Sequence, residues 1–245
     1  MHQYYSDMGN SKITLYQGDC LEYFSQVPTG SVDLIVTDPP YQIDNTKAGG
    51  KSRLCKRIQS AQDELTGSNL TEGFDKKILD EMLRVCKAPN LYIWCNGKQI
   101  PMYLDYFVKE HGCTFDILIW AKTNAVPAFN NKYLTDKEYC LYFRRGGYCQ
   151  PMDYERARTV WFQPINKQDK DQWGHPTIKP LNIIQALVAN SSKEGDTVLD
   201  CFMGSGTTGV ACAKLHRNFI GMELNADYYK IAEYRIKDEL QPILF

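Results

Sequence analysis

Seven short apolar segments, separated by polar or helix-like sequence, constrain the fold of this 245-residue chain most strongly. They are KITLYQ (12–17), SVDLIVT (31–37), NLYIWC (90–95), TFDILIW (114–120), KEYCLYF (137–143), DTVLD (196–200) and NFIGME (218–223). Between most of them, apolar residues recur at the three-to-four spacing of a helix, as at Ile78, Leu79, Met82 and Leu83. Strands that alternate with helices predict an α/β fold with a doubly wound, mainly parallel, seven-stranded sheet covered on both faces.

The size of the chain fits one domain, residues 1–245, because 43% of its residues are apolar and can form a single core. Two regions interrupt the alternation of strands and helices. Residues 42–72 are polar and contain glycine, and residues 122–170 are rich in Asn, Gln, Lys and aromatic side chains. Long connections of this kind are usually either functional or disordered, and we predict that both insertions contact a partner.

Several classes of protein are disfavoured by composition. The nine cysteines include no CxxC pair, and the four histidines are scattered, so we expect reduced thiols, no metal and a cytoplasmic protein. The polar start MHQYYSDMGN and the lack of a long apolar run argue against secretion and membrane insertion. Because 28 basic residues balance 29 acidic ones, any binding of nucleic acid has to come from a local patch.

A glycine-rich segment follows the sixth apolar run, where DTVLD leads into CFMGSGTTG (201–209) and then into the helix-like VACAKLH. Glycines permit a sharp turn and a close approach of a ligand to the backbone, and the start of the helix offers free N–H donors. Glu223, at the end of the next predicted strand, follows Gly206 by 17 residues (223 − 206 = 17). An acid at that distance can accept hydrogen bonds from ribose hydroxyls, which indicates a nucleoside site.

This glycine motif alone leaves three interpretations open. Gly204, Gly206 and Gly209 match the GxGxxG of dinucleotide-binding proteins as well as a site for S-adenosylmethionine (SAM). A dinucleotide fold needs a second half downstream, whereas only one predicted strand follows this loop. A phosphate-binding loop is disfavoured, because Thr207 and Thr208 stand where its GK[ST] motif would be required. A tight turn that binds no ligand is the third interpretation.

A second motif, Asp38-Pro39-Pro40-Tyr41, comes directly after the apolar VDLIV. Two prolines fix two φ angles and remove two N–H donors, so the segment is rigid and poor in donors. The Asp38 carboxylate and a backbone carbonyl of the two prolines can accept both hydrogens of an exocyclic amine, which frees its lone pair for a methyl donor. Tyr41 can stack on the base, which must first leave its duplex. The alternative is a proline-rich turn in which Asp38 only caps a helix.

Taken in order, the motifs resemble those of the β-class amino-methyltransferases of DNA, which act on adenine N6 or cytosine N4. The matching segments are Gly18–Asp19 in QGDCLEYF, DPPY at 38–41, HPTIKP at 175–180 and DCFMGSGTTG at 200–209. The catalytic motif precedes the cofactor motif, which is the circularly permuted order of this class. The resemblance covers residues 12–235 and implies a permuted Rossmann-like methyltransferase fold, SAM as cofactor and DNA as partner.

The resemblance also implies roles for particular residues. It assigns the target base to Asp38–Tyr41, and it assigns the cofactor to a set of ten residues. These are Asp19, Thr177, Lys179, Asp200, Phe202, Gly204, Ser205, Gly206, Thr207 and Glu223. Within the set, Glu223 would bind ribose hydroxyls and Asp19 would lie near the adenine amine of the cofactor. Thr177 and Lys179 would lie near its methionine end.

Contacts with DNA are expected from the two insertions. Five basic residues without an intervening acid follow DPPY closely: Lys47, Lys51, Arg53, Lys56 and Arg57. Their position favours a loop that contacts phosphates, although such runs are often only solvated surface. Residues 122–170, with Asn124 and Lys132, are candidates for reading bases, because amide and basic side chains suit major-groove edges. The alternative there is an irregular surface that covers the edge of the sheet.

The resemblance favours a site-specific DNA methyltransferase acting on adenine N6 in a flipped-out base, because Asp in the first position of DPPY accompanies adenine in this class. Cytosine N4 is the alternative within the class. From other classes, an NAD-dependent oxidoreductase and an inactive DNA-binding module are the rivals. The expected partner is double-stranded DNA, and the class also leaves open a cognate restriction endonuclease and a homodimer.

Overall fold

The computed structural model describes residues 2–8, 11–41, 75–127, 133–165, 172–174 and 178–241. The strands are β1 (His2–Met8), β2 (Ser11–Gln17), β3 (Leu34–Thr37), β4 (Asn90–Cys95), β5 (Thr114–Lys122), β6 (Lys137–Arg144), β7 (Val160–Gln163), β8 (Thr197–Asp200) and β9 (Asn218–Glu223). The helices are α1 (Cys20–Phe24), α2 (Lys77–Val85), α3 (Ile100–Tyr103), α4 (Leu181–Ser191), α5 (Thr207–Lys214) and α6 (Ala226–Leu240). A π-helical segment, Leu104–Glu110, continues α3.

All nine strands belong to one sheet with the order β1-β2-β9-β8-β3-β4-β6-β5-β7. The run from β2 to β4 is parallel throughout. Strand β6 lies antiparallel between β4 and β5, β1 is antiparallel to β2, and β7 is parallel to β5. The α/β class and the parallel centre are therefore confirmed, whereas the predicted count of seven strands was wrong and the sheet is mixed.

The two strands that the sequence did not predict lie at the two edges of the sheet. Strand β1, HQYYSDM, pairs with β2 along its whole length but consists mostly of polar residues and two adjacent tyrosines instead of an apolar run. Strand β7, VWFQ, has only four residues, and none of them is fully buried. Edge strands bury less surface than central ones, so they lack the continuous apolar pattern that identifies a buried strand.

The central strands are covered on both faces. All residues of β3 and β4 are buried, and successive residues of β3 belong to different cores. Leu34 and Val36 pack with residues of α4, α5 and α6, whereas Ile35 packs with residues of α1, α2 and the π-helical segment. This two-sided burial explains why LIVT and NLYIWC read as uninterrupted apolar runs.

The carboxyl ends of the parallel strands meet at one edge of the sheet. Strands β3 and β8 are direct parallel neighbours, with Leu34 opposite Val198 and Ile35 opposite Leu199. The segments that follow them, DPPY and the glycine loop, therefore leave the sheet side by side, as expected at a topological switch point. No helix in the described part of the chain is long and apolar enough to span a membrane.

The two predicted insertions are described to different extents. Residues 42–72 lie outside the described residues. Region 122–170 contains β6, which is inserted between β4 and β5, and the edge strand β7. A single domain with two DNA-contacting insertions stays a prediction.

Candidate active site

Asp200 joins the two motifs at the shared edge of the sheet. Its Oδ1 accepts hydrogen bonds from Thr37 Oγ1 at 2.8 Å and from Phe202 N at 3.1 Å. Thr37 ends β3 directly before DPPY, and Phe202 belongs to the glycine loop. Burial raises the pKa of Asp200 to about 7, against the opposing hydrogen bond from Thr37. Asp200 is buried and therefore links the residue before DPPY to the start of the glycine loop.

The glycine loop needs its glycines for two different reasons. Gly204 and Gly206 have φ angles of 50° and 79°, in the left-handed region that favours glycine. A Cβ on Gly206 would also lie 2.8 Å from Ala232 Cβ. Gly209 lies inside α5, where a Cβ would come within 2.3 Å of Ile236 Cδ1. The first two glycines thus shape the turn, and the third allows α5 and α6 to pack closely.

A buried arginine on α6 fastens the loop. Arg235 Nη1 donates to the carbonyl of Ser205 at 2.7 Å, to its Oγ at 3.0 Å and to Thr207 Oγ1 at 3.3 Å. The guanidinium carbon lies 5.5 Å from the ring centroid of Trp173. Ser205 and Thr207 are both buried, so their side chains anchor the loop to the helix behind it. The backbone of the loop is thereby held in a defined shape.

Two acids stand at the ends of the neighbouring strands β2 and β9. Glu223 Oε2 accepts from Gly204 N and Oε1 accepts from Asn225 N, both at 2.8 Å, and burial raises the pKa of Glu223. Gly18 N donates to the Glu223 carbonyl at 2.9 Å, which brings the next residue, Asp19, to the same edge. Asp19 is exposed and caps α1 through Leu21 N. An acid and a glycine loop at adjacent strand ends suit a nucleoside.

The DPPY segment is held from two sides. Gln99 is buried, and its Nε2 donates to the Pro40 carbonyl at 3.2 Å while its Oε1 accepts from Asn96 N at 3.2 Å. The Tyr41 hydroxyl donates to Glu138 Oε2 at 3.3 Å. The segment that follows β4 and the start of β6 therefore position the tetrapeptide.

Only one of the two oxygens of the Asp38 carboxylate receives a hydrogen bond from the described residues. Its Oδ2 accepts a short hydrogen bond from the ammonium of Lys179, whereas its buried Oδ1 has no hydrogen-bond partner among the described residues. Burial raises the pKa of Asp38, and Lys179 opposes that effect. A buried acceptor without a donor is costly, so this oxygen is suited to receive a donor from a ligand.

The structure brings most of the predicted residues to this edge. Described there are the DPPY residues, Asp19, Lys179, Asp200, Glu223 and the loop from Phe202 to Thr207. Thr177, Lys132 and the five cations Lys47, Lys51, Arg53, Lys56 and Arg57 lie outside the described residues. Asn124 Oδ1 accepts from Ile165 N at 2.6 Å and so joins the segment after β5 to the segment after β7.

Four residues of the site were not predicted from the sequence: Thr37, Gln99, Glu138 and Arg235. Each is a single polar side chain outside any recognisable motif. An arginine among the apolar positions of α6 was the one local hint, because a buried guanidinium requires partners. The other three acquire their roles only through contacts with distant parts of the chain.

Comparison with known proteins gives consistent matches. The model of the N6/N4 methyltransferase family, described as DNA methylase, matches residues 32–234. The type II methyltransferase M2.DpnII of Streptococcus pneumoniae is 30% identical over 251 residues, covering 94% of this chain and 91% of that protein. The type II methyltransferase M2.MboI of Moraxella bovis is 26% identical over 255 residues, covering 98% and 93%.

Solved structures match over similar lengths. The crystal structure of the M1.HpyAVI–SAM complex aligns with a TM-score of 0.65 at 25% identity, covering 91% of this chain and 98% of that one. The PvuII DNA methyltransferase, titled cytosine-N4-specific, aligns with a TM-score of 0.66 at 16% identity, covering 97% and 95%. The second likeness concerns the fold alone.

Proposed function

The chain belongs to the DNA methylase family of SAM-dependent N6/N4 amino-methyltransferases, and on this premise we propose that it methylates N6 of adenine in DNA. The observation that carries the proposal is the Asp38 carboxylate. It stands at a strand end beside the glycine loop, and one of its oxygens is buried and receives no donor from the described residues. An exocyclic amine supplies the donor that this oxygen lacks.

The rigid tetrapeptide is suited to activate such an amine. Asp38 Oδ1 and a backbone carbonyl of Pro39–Pro40 accept its two hydrogens, which releases the nitrogen lone pair from the ring. Gln99 keeps the Pro40 carbonyl in place, so the acceptors are oriented before the base arrives. Tyr41 stacks on the extruded base and offsets part of the energy lost when the base leaves its duplex.

The residues around the glycine loop fit SAM. When bound, SAM would supply an electrophilic methyl group; the electron pair of its bond to sulfur would stay on sulfur, and the methylated nitrogen would give up one proton. Gly204 and Gly206 carry no side chain that would keep a ligand away from the loop, and Glu223 and Asp19 would hold the ribose and the adenine. Lys179 contacts Asp38, so we propose that it lies between the catalytic carboxylate and the methionine end of SAM.

Adenine is favoured over cytosine by the acid in the first position of DPPY. Cytosine N4 is the second candidate, because its amine presents the same two donors to Asp38. The two alternatives differ in product and can be separated directly. Purified protein is incubated with labelled SAM and genomic DNA that contains neither methylated base, and the DNA is then digested to nucleosides.

Mass spectrometry of the digest is expected to detect N6-methyldeoxyadenosine in an amount that rises with time and enzyme. A reaction without protein is the control. Detection of N4-methyldeoxycytidine instead would establish the alternative and refute the adenine assignment. Absence of both products together with tight binding of NAD would refute the proposal as a whole.

The type II relatives support a role in restriction–modification, and we propose double-stranded DNA as the substrate. A cognate restriction endonuclease and a homodimer stay predictions. The five cations of region 42–72 are proposed to contact phosphates. Replacing Arg53, Lys56 and Arg57 with alanine is then expected to weaken DNA binding and to lower the slope of log K against log salt by about 2–3. Unchanged binding at low salt would contradict this role.

A further inference from the structure

A buried cluster of four charges surrounds the catalytic carboxylate, and we name it the charged cluster: Lys122, Glu138, Lys179 and Asp38. Lys122 Nζ lies 2.6 Å from Glu138 Oε1, and Lys179 Nζ lies 3.2 Å from Glu138 Oε2. Lys179 also contacts Asp38 Oδ2. One ammonium is therefore shared by two carboxylates that come from β6 and from the end of β3.

The charged cluster is neutral and largely withdrawn from water. The exposed fractions of its side chains are 15% for Lys122, 17% for Glu138, 6% for Lys179 and 24% for Asp38. Although burial opposes ionisation, the two lysines lower the pKa of Glu138 to about 2, so this carboxylate is charged. A buried ion pair is weak evidence for stability, because apolar residues of similar volume often stabilise a protein as well. Stability alone therefore does not explain the ion pair of Glu138 and Lys122 beside the DPPY segment, and we expect it to have a role in the site.

The position of Lys179 conflicts with the chemistry proposed for Asp38. Methyl transfer to an amine makes its nitrogen positive, and Asp38 is the acceptor placed to stabilise that charge. An ammonium on the same carboxylate repels the developing charge and reduces the negative charge available to the amine. Lys179 thus needs another partner at the moment of reaction, and Glu138 Oε2 is already within 3.2 Å.

We propose that Glu138 is a positioning residue that draws the Lys179 ammonium away from Asp38 when the target amine enters. This inference rests on the proposed function. Lys122 keeps Glu138 ionised and in place through the opposite oxygen. The same Oε2 also accepts the hydroxyl hydrogen of Tyr41, so Glu138 links the position of the stacking residue to that of the ammonium.

The test removes the charge of Glu138 without changing its size. In the Glu138→Gln variant an oxygen remains to accept from Tyr41, but Lys179 loses its second carboxylate. We expect kcat to fall about 10- to 100-fold, the value of a charge-assisted hydrogen bond, while KM for SAM and Kd for DNA change less than about threefold. The matched control is Glu239→Gln, which makes the same substitution in an ion pair outside the charged cluster, between Glu239 and Lys214 at 2.6 Å; its kcat is expected to stay within about threefold of wild type.

The double variant Glu138→Gln/Lys122→Gln keeps the test decisive if the single variant fails to fold, because it removes one charge of each sign. We expect it to fold and to lose as much kcat as Glu138→Gln. A kcat near that of wild type in the variant that folds, or an equal loss in Glu239→Gln, would overturn the inference. If the wild-type chain methylates no DNA, the proposed function itself is wrong; if it does and the Glu138 variants are unaffected, only this inference is wrong.

Discussion

Replacing Asp38 with asparagine tests the catalytic assignment most directly. Asparagine keeps the shape of the side chain but removes the negative charge and turns one acceptor into a donor. Loss of one preorganised acceptor for a developing charge costs about 2.7–4 kcal/mol, which corresponds to a fall of about 10²–10³ in kcat. Binding of SAM is expected to persist, because Asp38 contacts none of the residues of the glycine loop through a hydrogen bond in the described structure.

The structure also indicates that Asp38→Asn should fold. Removing one partner of a buried ion pair costs about 3–5 kcal/mol when the other charge is left alone. Lys179 would still have Glu138 as an ion-pair partner at 3.2 Å. Burial raises the pKa of Asp38, which means that the ionised carboxylate itself destabilises the fold. We therefore expect a loss of about 1–2 kcal/mol in unfolding free energy, or a few degrees in Tm for a chain of this length.

The assay is the single-turnover rate of methyl transfer from labelled SAM to DNA, with SAM binding followed by calorimetry. Asp33→Asn is the matched control, because Asp33 stands at the opposite end of the same strand β3. Asp33 forms an ion pair with Lys87 at 2.7 Å and accepts from Thr197 N at 2.9 Å. Its rate is expected to stay within about twofold of wild type. A rate for Asp38→Asn within tenfold of wild type, or an equal loss in Asp33→Asn, would refute the reasoning.

Three further predictions follow from the same contacts. Gln99→Leu removes the donor to the Pro40 carbonyl and should lower kcat about tenfold with SAM affinity unchanged, which steady-state kinetics would measure; a loss of affinity alone would argue against this role. Burial raises the pKa of Asp200 to about 7, so its contribution to stability is present at low pH and lost as pH rises through about 7. As pH rises from about 4 to 7, the unfolding free energy of Asp200→Asn, measured with urea, should therefore increase relative to that of wild type by up to about 4 kcal/mol. A constant difference between the two proteins across this pH range would exclude this. Gly206→Ala combines a φ of 79° with a Cβ contact of 2.8 Å to α6 and should weaken SAM binding about tenfold, whereas Gly30→Ala, with a φ of 65° and open space around its Cβ, should not.

The fold could be predicted from the sequence wherever burial is continuous. Every apolar run that was predicted as a strand forms one, and the central strands β3 and β4 are fully buried because strands inside a covered parallel sheet expose neither face to water. The count was wrong at the two edges, where β1 and β7 bury too little to produce such a pattern. Strands β3 and β8 pair in parallel, so the two motifs that follow them meet at one edge of the sheet.

The two motifs of the site were also readable from the sequence, since prolines and glycines restrict or release backbone angles within a few residues. The partners of those motifs were not. Gln99 meets Pro40 from 59 residues away, and Glu138 meets Tyr41 from 97 residues away. Lys179 was placed near the cofactor by resemblance, yet its ammonium contacts Asp38, 141 residues away.

The sequence by itself determined the rigid corner at Asp38, the turn at Gly204 and the apolar strands that lead to them, because each depends on neighbouring residues only. Only the tertiary structure decided which charges surround Asp38 and which side chains hold the two motifs. Those contacts depend on the order and register of nine strands. A single polar residue such as Glu138 becomes part of the site because β6 is inserted between β4 and β5, and no local pattern encodes that insertion.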